Sequence, residues 1–429
     1  SRHGRTLSPK AGILGMTINS FIREHSRPLV FVPVYIGYEK LLEGRTYLRE
    51  IAGKPKQKES LWAIMKSARQ IKRVFGKVHL NFGEPLALAE FLDACHAGWA
   101  GDEGGAPGAW SREATRSAAI ALAARLNDAV VVNPVNLIAI TLLSTPRHTA
   151  DEQSLERLLA HYQALIAKVP YSAAMISCDL EPSAIVAYVE RLGFAQRISH
   201  PLGDLIRIPD GEAPLLAYFR NNVLHAFALP ALVACLLSHS RYLGAPRLIE
   251  AVAGIYGLMK SELFLHDSSE GLQSATEAVI EVLVERGLLM RGEQGRLSAP
   301  EANSPEFAEL RLLGEALRPM LERHFLTLSL LQHGGSGLRT RHSLENECHL
   351  LAQRLALLYE FNSPEQSEKK AFSSLIAQFV DAGLLREDEA GLLHFDQRIT
   401  TPLAHAELVL PAETRQAILR MACAGQLVR

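Results

Sequence analysis

Residues 98 to 108 read Gly-Trp-Ala-Gly-Asp-Glu-Gly-Gly-Ala-Pro-Gly, and a stretch this dense in glycine and proline continues neither a helix nor a strand. It divides the 429-residue chain into two segments of different periodicity. Before it, Ile13, Leu14, Ile18, Phe21 and Ile22 recur at helical spacing, Pro28 breaks that helix, and a β-rich run follows at 30–36. Residues 59–75 return to helix with Leu61, Ile64, Met65, Ala68 and Ile71 on one face, ahead of a short strand at 78–82. This βαβα order predicts an α/β layer over residues 1–96. After a Gly-rich linker at 97–113, residues 114–429 are mainly α, with a sub-boundary near 240. The spacing predicts helices at 114–128, 151–168, 182–192, 214–239, 246–263, 272–287, 305–332, 343–359, 368–383 and 411–424. The fold class expected is therefore α/β followed by mainly α.

Within the helical part, residues 278–297 and 374–394 echo one another: an apolar helix reaches Gly-Leu-Leu and then a small hairpin. Two winged-helix-like helix-hairpin units are expected, an arrangement that nucleic-acid readers also use. Glu277, Glu281, Glu285 and Asp381 lie on the helices concerned, where a DNA reader needs a basic surface, so no nucleic-acid partner is expected.

Net charge is −1, yet residues 1–80 hold 16 Lys or Arg against 5 Glu. Such a segment attracts phosphate, coenzyme A, an acidic carrier protein or an anionic membrane surface. Five cysteines at 95, 178, 235, 348 and 423 are scattered without a Cys-x-x-Cys pair and read as reduced, buried thiols in a cytosol-facing protein. The most apolar stretch, 223–237, carries His225 and Pro230 and falls short of the ~20 residues that cross a bilayer, so a buried helix with interfacial attachment is expected. No metal constellation and no phosphate-binding Gly-x-x-x-x-Gly-Lys-Ser/Thr loop is found, and no cofactor is expected.

A set of ordered motifs points further. The chain opens Ser1-Arg2-His3-Gly4-Arg5, with Pro9-Lys10-Ala11-Gly12 shortly after, then Phe31-Val32-Pro33-Val34-Tyr35-Ile36-Gly37-Tyr38-Glu39 and Phe82-Gly83-Glu84-Pro85. Lys58-Glu59-Ser60, Pro170-Tyr171-Ser172, Tyr218-Phe219-Arg220-Asn221-Asn222 and Ala371-Phe372-Ser373-Ser374 follow in the same order. Together they resemble the late acyltransferase domain and the C-terminal region of bacterial membrane-associated glycerol-3-phosphate 1-O-acyltransferases. The resemblance implies transfer of a fatty acyl group from acyl-CoA or acyl carrier protein to the sn-1 hydroxyl of glycerol 3-phosphate, the first step of phospholipid synthesis, at the cytoplasmic face of the inner membrane. A dihydroxyacetone-phosphate acyltransferase is the nearest alternative, and a non-catalytic helical interaction protein with winged-helix modules the more distant one.

The family's general base, a His-x-x-x-x-Asp motif upstream of the arginines, has no counterpart: His79 precedes Glu84 by five residues but lies on an expected strand. The chain therefore reads as a C-terminal part, inactive alone, whose sheet is expected to show an exposed edge or apolar face. No catalytic residue is assigned. By resemblance Arg2 contacts the acceptor phosphate, and Arg5 and Lys10 add to the same positive pocket, a task that suits guanidinium geometry. Val32, Pro33, Val34 and Ile36 match the motif associated with the hydrophobic wall of the acyl site, and equally describe a core strand in a covered sheet. Glu39, without a partner histidine in sequence, reads as a surface or hydrogen-bonding carboxylate. Arg220, Asn221, Asn222 and His225, beside a very apolar helix, are expected to form a buried hydrogen-bond network between domains.

Overall fold

The computed structural model describes residues 4–6, 11–41, 76–101, 108–240, 242–265, 269–358 and 369–424. The expected helix at 59–75, the Lys58-Glu59-Ser60 motif, Arg2 and Lys10 lie outside these residues.

The first part begins with helix α1 (Ala11–Arg23), which buries Ile18, Phe21 and Ile22. The expected run at 30–36 is two strands, β1 (Val30–Phe31) and β2 (Val34–Tyr38). Pro33 separates them: it has no N–H to give to a ladder, and its carbonyl instead accepts from the Gly83 amide at 2.8 Å. Strand β3 (Val78–Phe82) pairs antiparallel with β2, and β4 (Leu86–Ala87) with β1. Helix α2 (Leu88–Cys95), which the sequence periodicity did not single out, follows at once. Its Leu88 and Leu92 close a small core with Ile18, Phe21, Ile22 and Trp99. Trp99 stacks on Phe21, ring centroids 5.5 Å apart, so part of the expected linker is anchored.

Helix α3 (Ala109–Asp128) starts inside the expected linker, five residues before the predicted 114, because Ala114 and Ala118 also belong to that core. Strand β5 (Val131–Val132) leads into α4 (Pro134–Leu143), capped by reciprocal side chain to backbone bonds between Asn133 and Asn136. Then come β6 (Thr149–Asp151), α5 (Glu152–Lys168), β7 (Ile176–Ser177), α6 (Pro182–Leu192), β8 (Gln196–Ile198) and β9 (Leu205–Arg207). Strand β5 pairs parallel with β7, and β6, β9 and β8 form an antiparallel sheet in that order.

The core is organised around α7 (Ala213–His239), 27 residues with Phe219, Val223, Phe227, Leu232 and Leu236 fully buried. It is longer than the apolar run at 223–237, and by length and composition it is able to cross a membrane, yet 78% of its most apolar window is buried inside the protein. Each such Leu or Phe withdrawn from water contributes about 1.5–3 kcal/mol, which makes α7 the mechanical centre of the helical part.

Strand β10 (Tyr242–Gly244), helices α8 (Ala245–Leu263) and α9 (Ser269–Glu285), and the hairpin β11 (Met290–Arg291) and β12 (Arg296–Ser298) come next, with β10 pairing against β12. The single helix expected at 305–332 is two, α10 (Pro305–Glu315) and α11 (Arg318–Gly334). Pro319, which lacks an N–H, starts the second. Gly314 lies so close to the Cys235 backbone of α7 that a Cβ there would collide with it. The chain ends in α12 (Arg341–Leu358), α13 (Lys369–Asp381), the hairpin β13 (Arg386–Glu387) and β14 (Leu393–His394), α14 (Thr400–Val409) and α15 (Ala412–Ala424). All five cysteines are free, as expected, but Cys95 and Cys423 are exposed and Cys178 half-buried, so the expectation of buried thiols holds only for Cys235 and Cys348.

Candidate functional site

Besides Arg125 of α3, whose Nη1 donates to the carbonyls of Glu84 and Pro85, the polar groups that join the first part to the helical body gather in two places. At the first, residues 4–6 are seated against three helices. Gly4 has φ +77°, and a Cβ there would run into the Tyr218 carbonyl of α7. Arg5 Nη1 pairs with Glu262 Oε1 near the end of α8, and Arg323 Nη2 of α11 donates to the same oxygen. His324 Nε2 lies 3.5 Å from the other carboxylate oxygen. Burial opposes ionisation of Glu262, but the charges of Arg323, Arg5 and His324 outweigh it and lower the carboxyl to about 2. Burial, the largest cause, also moves the His324 imidazole down from its ordinary value, against the pull of Glu262. Thr6 Oγ1 donates to Asn127 Oδ1 at 2.9 Å; Asn127 Nδ2 donates to the Leu263 carbonyl at 2.7 Å, and His225 Nε2 lies 3.1 Å from the Asn127 carbonyl.

At the second place the strand end of β2 meets α6. Glu39 is 1% exposed. Its carboxylate accepts from the Lys77 amide at 2.5 Å and the Tyr188 hydroxyl at 2.5 Å, and lies 3.2 Å from His79 Nε2. Burial first, then Glu39 itself, pushes the Tyr188 hydroxyl up to about 12, so it remains the donor. Lys40 Nζ caps the Leu192 carbonyl at 2.7 Å, and Asn81 Nδ2 donates to the carbonyls of Ala129 and Ala174 at 2.9 and 2.7 Å. Of the two expectations for Glu39, a surface or a hydrogen-bonding carboxylate, its burial rules out the first and its bonds match the second, with a histidine, a phenol and an amide that local sequence did not reveal.

The β2–β3 pair separates its two faces cleanly. His79 and Asn81 point toward the helical body, whereas Val34, Ile36 and Tyr38 pair with Phe82, Leu80 and Val78 to line the opposite face. All six are exposed, Phe82 at 65% and Leu80 at 60%. A covered strand was one expectation for 30–36; the apolar face is instead uncovered among the described residues, because the helical body takes only the polar face. The other expectation, an exposed apolar sheet face, matches what is seen.

The predicted site residues thus separate. Val32, Val34 and Ile36 are exposed, and Pro33 is buried where the strands divide. Arg5 is engaged by Glu262 instead of standing in an open positive pocket, while Arg2 and Lys10 lie outside the described residues. Arg220, Asn221 and His225 are buried and hydrogen-bonded, with Arg220 Nε donating to Asn221 Oδ1 at 3.2 Å. Among the described residues no three His, Cys, Asp or Glu side chains converge as metal ligands.

Residues 47–388 match the glycerol-3-phosphate acyltransferase C-terminal region family. The chain belongs to this family. It is 40% identical over 426 residues to the glycerol-3-phosphate acyltransferase of Pseudomonas fluorescens strain SBW25, covering 98% of this chain and 50% of the relative. Against the enzyme of that name from Pseudomonas aeruginosa strain UCBPP-PA14 the identity is 39%, over 98% of this chain and 51% of the relative, and the same figures hold for Ectopseudomonas mendocina strain ymp. The chain spans about half the length of the curated relatives it matches. Sequence reading found the acyltransferase landmarks but missed Asn127, Tyr188, Glu262 and Arg323. One signal was available for Glu262: an acid placed between Met259 and Leu263, at the phase of a buried helix face.

Proposed function

We propose that this chain forms part of an acyltransferase that moves a fatty acyl group from acyl-CoA or acyl carrier protein to the sn-1 hydroxyl of glycerol 3-phosphate. The observation that carries this reading is the 40% identity to a glycerol-3-phosphate acyltransferase across nearly the whole chain. Its chemistry needs a seat for the phosphate dianion, an apolar wall for the acyl chain and a base for the hydroxyl. Arg2 supplies charge for the first by resemblance. The exposed apolar face of Val34, Ile36, Leu80 and Phe82 supplies the second, extending the wall assigned from 32 to 36. For the third, the His–carboxylate pairs among the described residues are all occupied locally: His161 with Glu309 and His324 with Glu262 are buried, His394 with Asp388 sits on a hairpin, and His79 is held against Glu39. We therefore assign no base to these residues and expect no turnover from the 429-residue chain by itself.

The basic first segment is read as the side facing an anionic membrane surface, at the cytoplasmic face of a bacterial inner membrane. The two helix-hairpin units are read as winged-helix-like packing modules, with acidic Glu281 and Glu285 ion-paired to Arg291 and Lys168 and no nucleic-acid role. The test is acyl transfer from palmitoyl-CoA by a full-length acyltransferase that contains this chain, with glycerol 3-phosphate and dihydroxyacetone phosphate in competition. Preferential acylation of glycerol 3-phosphate at the 1-position is expected. Preference for dihydroxyacetone phosphate, or turnover by the 429-residue chain alone at a comparable rate, overturns the reading.

A further inference from the structure

Three consecutive residues, 4 to 6, are held by three different helices, and each is held in a different way. Gly4 fits because the α7 backbone at Tyr218 leaves no room for a side chain. Arg5 is tied by charge to Glu262, and Thr6 by a hydrogen bond to Asn127 of α3. The last two anchors converge, since Asn127 also donates to the Leu263 carbonyl, one residue beyond Glu262. Arg323 of α11 donates to the same Glu262 oxygen as Arg5, and His324 Nε2 lies 3.5 Å from the other one. A carboxylate 8% exposed is costly to desolvate, and the two guanidiniums on one of its oxygens supply the attraction that offsets this. Arg323 belongs to the helical core, whereas the side chains of Arg5 and Thr6 reach out of their own segment to Glu262 and Asn127.

Arg5 already commits Nη1 to the carboxylate that Arg323 shares, so fewer of its donors are left for an external dianion, and Arg5 is better placed to hold the chain than to clamp a phosphate. It is well suited to anchor residues 4–6, which Arg2 precedes in sequence. We propose that Glu262, acting through Arg5, is a positioning residue for the acceptor: it fixes residues 4–6 on the helical body so that the arginine segment meets the phosphate of glycerol 3-phosphate. This inference rests on the acyltransferase reading above. It gives the helical region a specific task in acceptor use.

The experiment has two arms. In the chain itself, amide hydrogen exchange at residues 4–6 is compared in wild type, Arg5→Gln and Glu262→Gln. Both variants should exchange there about tenfold faster or more, the equivalent of about 1.4 kcal/mol of lost local protection, with exchange in α4 and α6 unchanged in Arg5→Gln, which keeps Glu262 paired with Arg323. In a full-length acyltransferase that contains this chain, either substitution should raise the Michaelis constant for glycerol 3-phosphate about tenfold and leave that for palmitoyl-CoA within about twofold, and the double variant should be no worse than the worse single one. Equal effects on both substrates, additive losses, or a lowered melting temperature with both Michaelis constants unchanged would mean that the ion pair only stabilises the fold. Should Glu262→Gln not fold, Arg5→Gln, which leaves Glu262 paired with Arg323, carries the same comparison. A wild-type enzyme that does not acylate glycerol 3-phosphate at all would overturn the proposed function instead, and that outcome is read before any variant is made.

Discussion

Glu262 and Glu309 are both buried glutamates that meet an arginine and a histidine, yet they join different things. Glu309 on α10 accepts from Arg157 Nε at 2.6 Å and from His161 Nε2 at 2.8 Å, both on α5, while Arg286 Nε donates to His161 Nδ1 at 3.0 Å. The donor at Nδ1 fixes His161 as the tautomer that carries its proton on Nε2 and gives it to Glu309. Every member of that cluster belongs to the helical body, and Arg157 is half exposed. Glu262 instead carries two guanidiniums, one of them brought from residue 5, and Arg323 has only 2% of its side chain exposed. The same three residue types thus make an internal brace in one place and a tie across the chain in the other. The difference lies in what is left behind when the carboxylate goes: a solvated arginine at Glu309, two cations without their shared anion at Glu262.

The largest effect expected from that difference is Glu262→Gln, which strands buried positive charge and should cost about 3–5 kcal/mol of unfolding free energy, measured by urea titration at pH 7. A loss below about 1 kcal/mol would put the two clusters in one class. Acidification sharpens the comparison. Glu262 is lowered to about 2 from an ordinary 4.5, so its contribution is fully present above about pH 4.5 and is lost as pH falls toward 2. His324 is also depressed, so its contribution is present above its ordinary 6.5 and begins to fall away below it. Stability should therefore decline from pH 6.5 downward and again, more steeply, below 4.5, and the second limb should flatten in Glu262→Gln.

Next in size is Arg2→Ala in a full-length acyltransferase, which on the proposed function removes a charge-assisted contact to the acceptor phosphate, about 1.5–3 kcal/mol, and should raise the glycerol 3-phosphate Michaelis constant ten- to a hundredfold. Lysine at that position should restore only part of it. A defect confined to the acyl donor would separate Arg2 from the Glu262 seat. Glu309→Gln should cost about 1–3 kcal/mol and leave amide exchange at residues 4–6 unchanged; faster exchange there would show that the brace and the tie are one network. The smallest effect is expected at the exposed sheet face, where Leu80→Ser should shift stability by less than about 0.5 kcal/mol while weakening use of long acyl donors. A loss above about 2 kcal/mol would mean that this face is covered in solution.

Much of the architecture was legible because amphipathic elements announce themselves. The strand at 78–82 and the helix at 182–192 were found with their observed ends, since one face of each is apolar and their flanks carry glycine or proline. Helix α4 was missed for the opposite reason: nine of its ten residues are buried, so it has no polar face and no period to read. The break at Ala316 and Leu317 was missed because apolar residues continue in helical phase across it, and only the Pro319 backbone constraint interrupts them. In the candidate site the family landmarks were readable one by one, as was the expectation that Arg220, Asn221 and His225 are buried polar groups.

What the sequence determined by itself is therefore local: which segments have one apolar face, where glycine and proline end them, and which short motifs place the chain among glycerol-3-phosphate acyltransferases. Which charges meet was decided only by tertiary structure. Arg5 and Glu262 are 257 positions apart, and Tyr188 and Glu39 are 149. Periodicity reports the environment of a residue over one or two turns, whereas an ion pair depends on where whole helices pack. That packing is set by α7 and its apolar neighbours, and it carries Glu262 to where its carboxylate meets Arg5.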